Sequence, residues 1–227
     1  MTDAQMRRFF VTLAQVNPAP QTELEYSSPF ELLAAVLLSA QATDVSVNKA
    51  TRHLFAIANT PQAMLVLGEQ ELAEAIRTIG LYRTKAKNLI KTCQILIEQH
   101  GGEVPSTLQA LQDLPGVGRK TANVVLNEVF GVPTVAVDTH VFRVSNRTGL
   151  APGKTPLEVE EALMQRIPKP FLANAHHWLI LHGRYVCLAR APRCNDCAVR
   201  ICCDLGASTM PSGVEGKAKK GVRHGHI

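Results

Sequence analysis

The chain predicts an all-α fold. Three observations carry that reading. Ser28-Pro29-Phe30-Glu31 and Thr155-Pro156-Leu157-Glu158 are capping-box starts with proline at the first helical position. Ala122, Val125, Leu126 and Val129 repeat at the three- and four-residue spacing of an apolar helical stripe. The single β-like run, Thr134-Val135-Ala136-Val137, is too short to build a sheet.

Each element follows from local signals. Ser28 opens an apolar helix over 30–38, and Thr43-Asp44 opens another that runs to Phe55. A segment over 69–79 stops at Gly80, and the next, over 83–100, stops at Gly101-Gly102. Ser106 begins a short helix to Gln112; a glycine turn follows, then a helix over 119–130 ended by Gly131-Val132-Pro133. Asp138 is a good N-cap for a helix beginning at Thr139. Thr155 opens a further helix, and a long one spans 171–188. Residues 212–227 hold Lys217, Lys219, Lys220 and Arg223 among glycines without apolar periodicity, the composition of a disordered basic tail.

At 227 residues the chain can bury a substantial core in one or two domains. Its net charge of +5 suits a polyanionic partner. The N-terminal stretch is too short and polar for a secretory signal, and no run approaches the ~18–20 apolar residues of a membrane span. A soluble intracellular protein is therefore expected. In that compartment six cysteines argue against a disulfide framework. Cys93 lies in an amphipathic pattern and reads as a buried thiol. Cys187, Cys194, Cys197, Cys202 and Cys203 crowd into the last fifth of the chain.

The most informative stretch is Leu114-Pro115-Gly116-Val117-Gly118-Arg119-Lys120-Thr121-Ala122. Two glycines make a tight turn, and the helix start behind them is a ready site for a phosphate. Lys120 then has two readings: a phosphate clamp, or an amine nucleophile. The positive end of the helix and neighbouring Arg119 favour the neutral amine. Asp138 caps a helix and is thereby fixed where it can face a reacting centre. The Cys194-x-x-Cys197 pair among the five late cysteines is the mark of a four-cysteine metal site, whose generic occupant is zinc.

Taken with Leu38-Ser39-Ala40-Gln41-Ala42-Thr43-Asp44, Gly80-Leu81-Tyr82, Val137-Asp138-Thr139-His140 and His177-Trp178-Leu179-Ile180-Leu181-His182-Gly183-Arg184, the glycine turn and closing cysteines resemble the endonuclease III family of DNA glycosylases, in the helix–hairpin–helix superfamily. The resemblance covers about residues 17–203. It implies two helical domains with the active site in the groove between them: a six-helix domain over 23–132, and a discontinuous domain of 1–22 plus 133–211 that carries a [4Fe–4S] cluster. The cluster ligands would be Cys187, Cys194, Cys197 and Cys203, with Cys202 a packed thiol or a spare ligand. Lys120 would be the nucleophile and Asp138 the essential carboxylate.

The same resemblance assigns DNA contacts. Gln41 and Leu81 match residues inserted into the duplex. Gly116, Val117, Gly118 and Arg119 would hold the DNA backbone, with a monovalent cation at the hairpin. His140 would orient the flipped nucleotide, and the cluster would present Arg190 and Arg193 to phosphates. The implied activity is a bifunctional DNA glycosylase/AP lyase of base excision repair, excising oxidised pyrimidines. Its partner would be double-stranded DNA with damaged bases or abasic sites, bound by a monomer at the nucleoid in a bacterial cytoplasm, with no membrane involved. Two other readings stay open. An adenine-mismatch glycosylase shares the cluster spacing and aspartate but usually lacks the lysine and carries a further C-terminal domain. A non-catalytic iron–sulfur DNA-binding module would keep the hairpin and cluster alone.

Overall fold

A computed structural model describes residues 1–208, and among them there is helix but no strand. The helices are α1 (Asp3–Val16), α2 (Pro29–Leu38), α3 (Asp44–Ile57), α4 (Pro61–Ala75), α5 (Tyr82–His100), α6 (Leu108–Gln112), α7 (Arg119–Phe130), α8 (Thr139–Thr148), α9 (Pro156–Arg166), α10 (Lys169–Tyr185) and α11 (Asp204–Ser208). The tail expected over 212–227 lies outside the described residues. No helix among them is long and apolar enough to cross a membrane.

Helix starts follow hydroxyl and carboxylate caps. Thr2, Ser28, Thr43, Thr60, Thr107, Asp138 and Thr155 each accept a first-turn N–H. The expected capping boxes form with one difference. Glu31 accepts from the backbone and hydroxyl of Ser27, and Glu158 from the backbone of Lys154. Both carboxylates thus reach one residue beyond the cap.

Three boundaries differ from expectation. α4 begins at Pro61, not at residue 69, because Thr60-Pro61 is itself a cap followed by proline. Gly68, with φ of 84°, breaks that helix in the middle, and the chain leaves it at Ile76. α6 is capped by Thr107 rather than Ser106. α10 ends at Tyr185, where the Val186 and Cys187 N–H groups both bond the His182 carbonyl and turn the chain into the cysteine loop.

The apolar residues form two cores. The first gathers α2 through α7; α2 is buried at every position from Phe30 to Leu38, and Glu31, the one charged residue among them, is satisfied by Ser27. The second joins α1 to α8, α9, α10 and the cysteine segment. Phe10 stacks on Phe171 at 5.9 Å, and the Trp178 indole donates to the Asn17 carbonyl at 2.8 Å, tying the N-terminus to the C-terminal third. Burial of Phe9 and Phe10 contributes about 1.5–3 kcal/mol each.

The β-like run has an unforeseen role. Val135 and Val137 enter the second core, while Ala136 between them enters the first. An extended backbone turns successive side chains to opposite sides, so this crossover is shared by both cores. Its polar groups are met by side chains: Asn127 donates to the Thr134 carbonyl at 3.2 Å, and His176 Nδ1 lies 2.9 Å from the Ala136 carbonyl.

α8 and α10 cross closely at Gly183. A Cβ there would lie 2.8 Å from the His140 Cβ and 3.2 Å from a Val144 methyl. Gly183→Ala is therefore expected to lower the unfolding free energy by about 1–3 kcal/mol through overpacking, read by urea denaturation. An unchanged midpoint would contradict this account of the crossing.

Candidate active site

The glycine turn is built as a short hairpin between α6 and α7. The Val117 N–H bonds the Leu114 carbonyl at 3.0 Å, and both side chains are buried in the first core. Gly116 has a φ of 81°, and a Cβ there would meet the Asn88 amide at 2.8 Å. Its glycine serves the fold. Gly118 differs: its φ is ordinary, and a Cβ would meet nothing within 4 Å. As the N-cap of α7 it offers no side-chain cap, so first-turn N–H groups remain for a ligand. Val117 can therefore contact a partner only through its backbone.

Lys120 stands exposed in the first turn of α7. Beside it, Arg119 grips Glu160 of α9 through two guanidinium nitrogens, at 3.0 and 2.8 Å. Glu160 is buried, so this pair ties the two cores together across the groove. A DNA phosphate at Arg119 would have to compete with that carboxylate.

Asp138 follows the crossover directly. Its Oδ1 accepts from the His140 and Val141 N–H groups at 2.9 and 2.8 Å, which confirms the cap. Oδ2 has no hydrogen-bond partner among the described residues. Asp138, Lys120, Gln41 and His140 line one cleft of ≈ 820 Å³, with Ser39, Asp44, Phe142, Lys154 and Arg184. That volume falls within the roughly 300–1,000 Å³ of small-ligand clefts. The Arg143 guanidinium can only donate, so at 3.2 Å it makes His140 Nδ1 an acceptor and leaves the ring proton on Nε2.

Behind the cleft lies a polar array in which His176 and His177 are the hydrogen-bonding residues their sequence context suggests, with partners, Glu128 and Tyr26, that no local pattern points to. His176 and His177 meet edge to face at 5.1 Å, and His177 Nε2 pairs with Glu128, which also accepts from Tyr26. Burial alone would raise the Glu128 carboxyl, but its bond to His177 holds it below its ordinary value. His176 is pushed down to about 4 by burial and then by His177, against the opposing pull of Asp138. It is thus a neutral imidazole supporting the backbone two residues before Asp138.

The remaining predicted residues divide by place. Gln41 and Leu81 are the two non-glycine residues with positive φ among those described, at 56° and 60°. Both are exposed. Arg190 and Arg193 are exposed on the cysteine loop and have no ion pair among the described residues. Arg184 is close in sequence but pairs with Glu23 and Asp44, and so belongs to the contact between the cores rather than to the basic loop.

Cys187, Cys194, Cys197 and Cys203 line one small pocket with Thr148, His182 and Arg200. Cys202 lies apart, packed in the second core. N–H groups already point at the sulfurs: Gly206 to Cys203 at 3.3 Å and Arg147 to Cys187 at 3.8 Å. Burial pushes the Cys197 and Cys203 thiols up. A single zinc ion needs every sulfur about 2.3 Å from one point. Among the described residues no three His, Cys, Asp or Glu side chains converge in that way.

Residues 34–169 match the model of the HhH-GPD superfamily of base excision DNA repair proteins. Endonuclease III of Escherichia coli K12 is 61% identical over 204 residues, covering 90% of this chain and 97% of the relative. Endonuclease III of Rickettsia prowazekii is 55% identical over 207 residues, covering 91% of this chain and 98% of the relative. A trapped endonuclease III–DNA covalent intermediate superposes with a TM-score of 0.86 at 47% identity, covering 93% of this chain and 100% of that one.

The neutral burial of His176 has a pH signature. Its folded pKa lies below the unfolded value, so below about 6.5 the unfolded chain takes a proton that the folded one refuses. Stability contributed here is lost as pH falls from 6.5 to 4, by about 1.4 kcal/mol per pH unit at most. His176→Gln should show a shallower fall over that window in urea titrations. Parallel pH profiles for the two proteins would refute the assignment.

Proposed function

The chain belongs to the endonuclease III family of HhH-GPD base excision DNA repair proteins, and on that premise we propose that Lys120 is its nucleophile and Asp138 its catalytic carboxylate. The protein is a DNA glycosylase/AP lyase acting on DNA. The observation that carries the residue assignment is the opening of both side chains into one cleft at the junction of the two cores.

A damaged base inside a duplex is out of reach, so the nucleotide must be flipped into the cleft. The Lys120 amine attacks C1′ of the sugar while the bond from C1′ to the base breaks; the base leaves with that electron pair and takes up the proton that the nitrogen sheds on bonding. Asp138 stabilises positive charge on the sugar or relays the proton from the amine to the departing base; its capping bonds hold it in place without using Oδ2. Ring opening breaks the bond from C1′ to O4′, the remaining nitrogen proton passes to O4′, and a Schiff base is left on Lys120. This acidifies C2′, so loss of a C2′ proton expels the 3′ phosphate and cleaves the strand. Hydrolysis of the imine frees the lysine. Oxidised pyrimidines are the proposed substrates, and the bacterial cytoplasm the proposed setting.

Gln41 and Leu81 fill the gap that the flipped nucleotide leaves. The uncapped start of α7 and the backbone of residues 116–118 hold a phosphate. A monovalent cation at the hairpin would use second lone pairs, since the Leu114 and Pro115 carbonyls already accept from Val117 and Thr92. Two separate cores support the division of domains near residues 22 and 133.

The four pocket cysteines suit a [4Fe–4S] cluster, which takes four thiolates around a group of atoms rather than one ion. When bound, the cluster supplies a cross-link that holds the loop carrying Arg190 and Arg193 in shape. No step of the reaction passes through it.

Borohydride should trap a covalent adduct on abasic-site DNA, and Lys120→Gln should abolish it. No adduct with the unmutated protein would sink this reading. Asp138→Asn keeps a capping side chain and should cut turnover by about 100-fold or more with little change in DNA affinity in a gel-shift titration. A matching collapse of binding would count against a catalytic role.

For the cluster, Cys202→Ala should retain full iron content and visible absorption, while Cys203→Ala loses both. The reverse pattern would exchange the ligand assignment of the two cysteines.

A further inference from the structure

Lys85 is buried on α5, 5% exposed, one turn after Leu81. Its ammonium donates one hydrogen bond, at 3.0 Å, to the carbonyl of Leu38, 47 positions away at the end of α2. That carbonyl is one of those a helix end leaves unpaired, and α2 has no basic residue in its own last turn. A cation there complements the negative end of the helix.

The bond joins two particular segments. Leu38 leads into residues 39–43, which carry Gln41 and contain one internal backbone bond, from the Ala42 N–H to the Ser39 carbonyl. The Lys85 N–H bonds the Leu81 carbonyl at 3.0 Å, making the first turn of α5. A Cβ on Gly80 would sit 4.0 Å from the Gln41 carbonyl, so the two turns lie against each other. Each turn holds its exposed residue in the left-handed region, a conformation that persists only where the surroundings enforce it.

We propose that Lys85 is a positioning residue for nucleotide extrusion: its bond to Leu38 locks the turn bearing Gln41 to the turn bearing Leu81, so that both side chains enter the duplex as one rigid unit. This rests on the insertion roles assigned to Gln41 and Leu81 above. Stability alone gives little reason for the lysine. A buried ammonium with one acceptor is costly, and an apolar side chain of similar length fills the same space without that cost.

The test is Lys85→Met in the full chain, read three ways. Thermal melting should stay level or rise. Single-turnover excision of thymine glycol from a duplex should fall about 10- to 100-fold, the scale of a misplaced contact. Cleavage of an abasic site in a single-stranded oligonucleotide, where no duplex gap needs filling, should stay within about twofold. Adding Leu81→Ala should then cost little more, because both changes disable one unit. Unchanged duplex excision, or duplex and single-strand activities falling together, overturns the proposal. Borohydride trapping on the single strand separates the failures: an adduct with unchanged duplex excision rejects the Lys85 role alone, whereas no adduct in the parent rejects the Lys120 reading.

Discussion

The arrangement of the cleft depends on one short stretch of extended chain passing between two hydrophobic cores. Residues 134–138 leave the first core after α7 and enter the second ahead of α8. Alternation commits Val135 and Val137 to one side and Ala136 to the other, so the segment can neither rotate nor slide without exposing apolar surface. Asp138 comes at its end and Lys120 stands on the helix before it. Their shared cleft is thus a product of core packing more than of any direct bond between them.

Charged groups divide accordingly. Arg119 with Glu160, and Arg184 with Glu23 and Asp44, join elements from opposite cores and brace the groove. The Glu128–His177 pair and the neighbouring His176 back the crossover from beneath. Lys120 in the cleft and Arg190 and Arg193 on the cysteine loop have no ion pair among the described residues and are exposed, where a polyanion can reach them.

Local chemistry was legible in the sequence wherever neighbouring residues determine it. The caps at Ser28, Thr43 and Thr155, the stops at Gly101 and Gly131 and the N-cap role of Asp138 are legible because each rests on bonds between near neighbours in the chain. Thr107, by contrast, replaces Ser106 as a cap, and α4 ends well before Gly80. α4 was half missed because Gly68 hides the continuity of a helix that Thr60-Pro61 had announced. Other features were out of reach: Arg119 finds Glu160 and Lys85 finds Leu38 across more than 40 positions, and no spacing rule encodes those meetings. Cys202 and Cys203 are adjacent and chemically identical, yet a 3₁₀ turn over Arg200–Cys202 sends them to different surroundings.

The crossover carries a further implication for how such a chain can change over time. Substitutions within it need only keep small or branched apolar groups on the correct side. A gain or loss of one residue is different, for it would exchange the two faces and turn the aspartate away from the groove. Insertions and deletions should therefore be purged from these few positions far more strictly than from the helices around them, making length the heritable property of the segment.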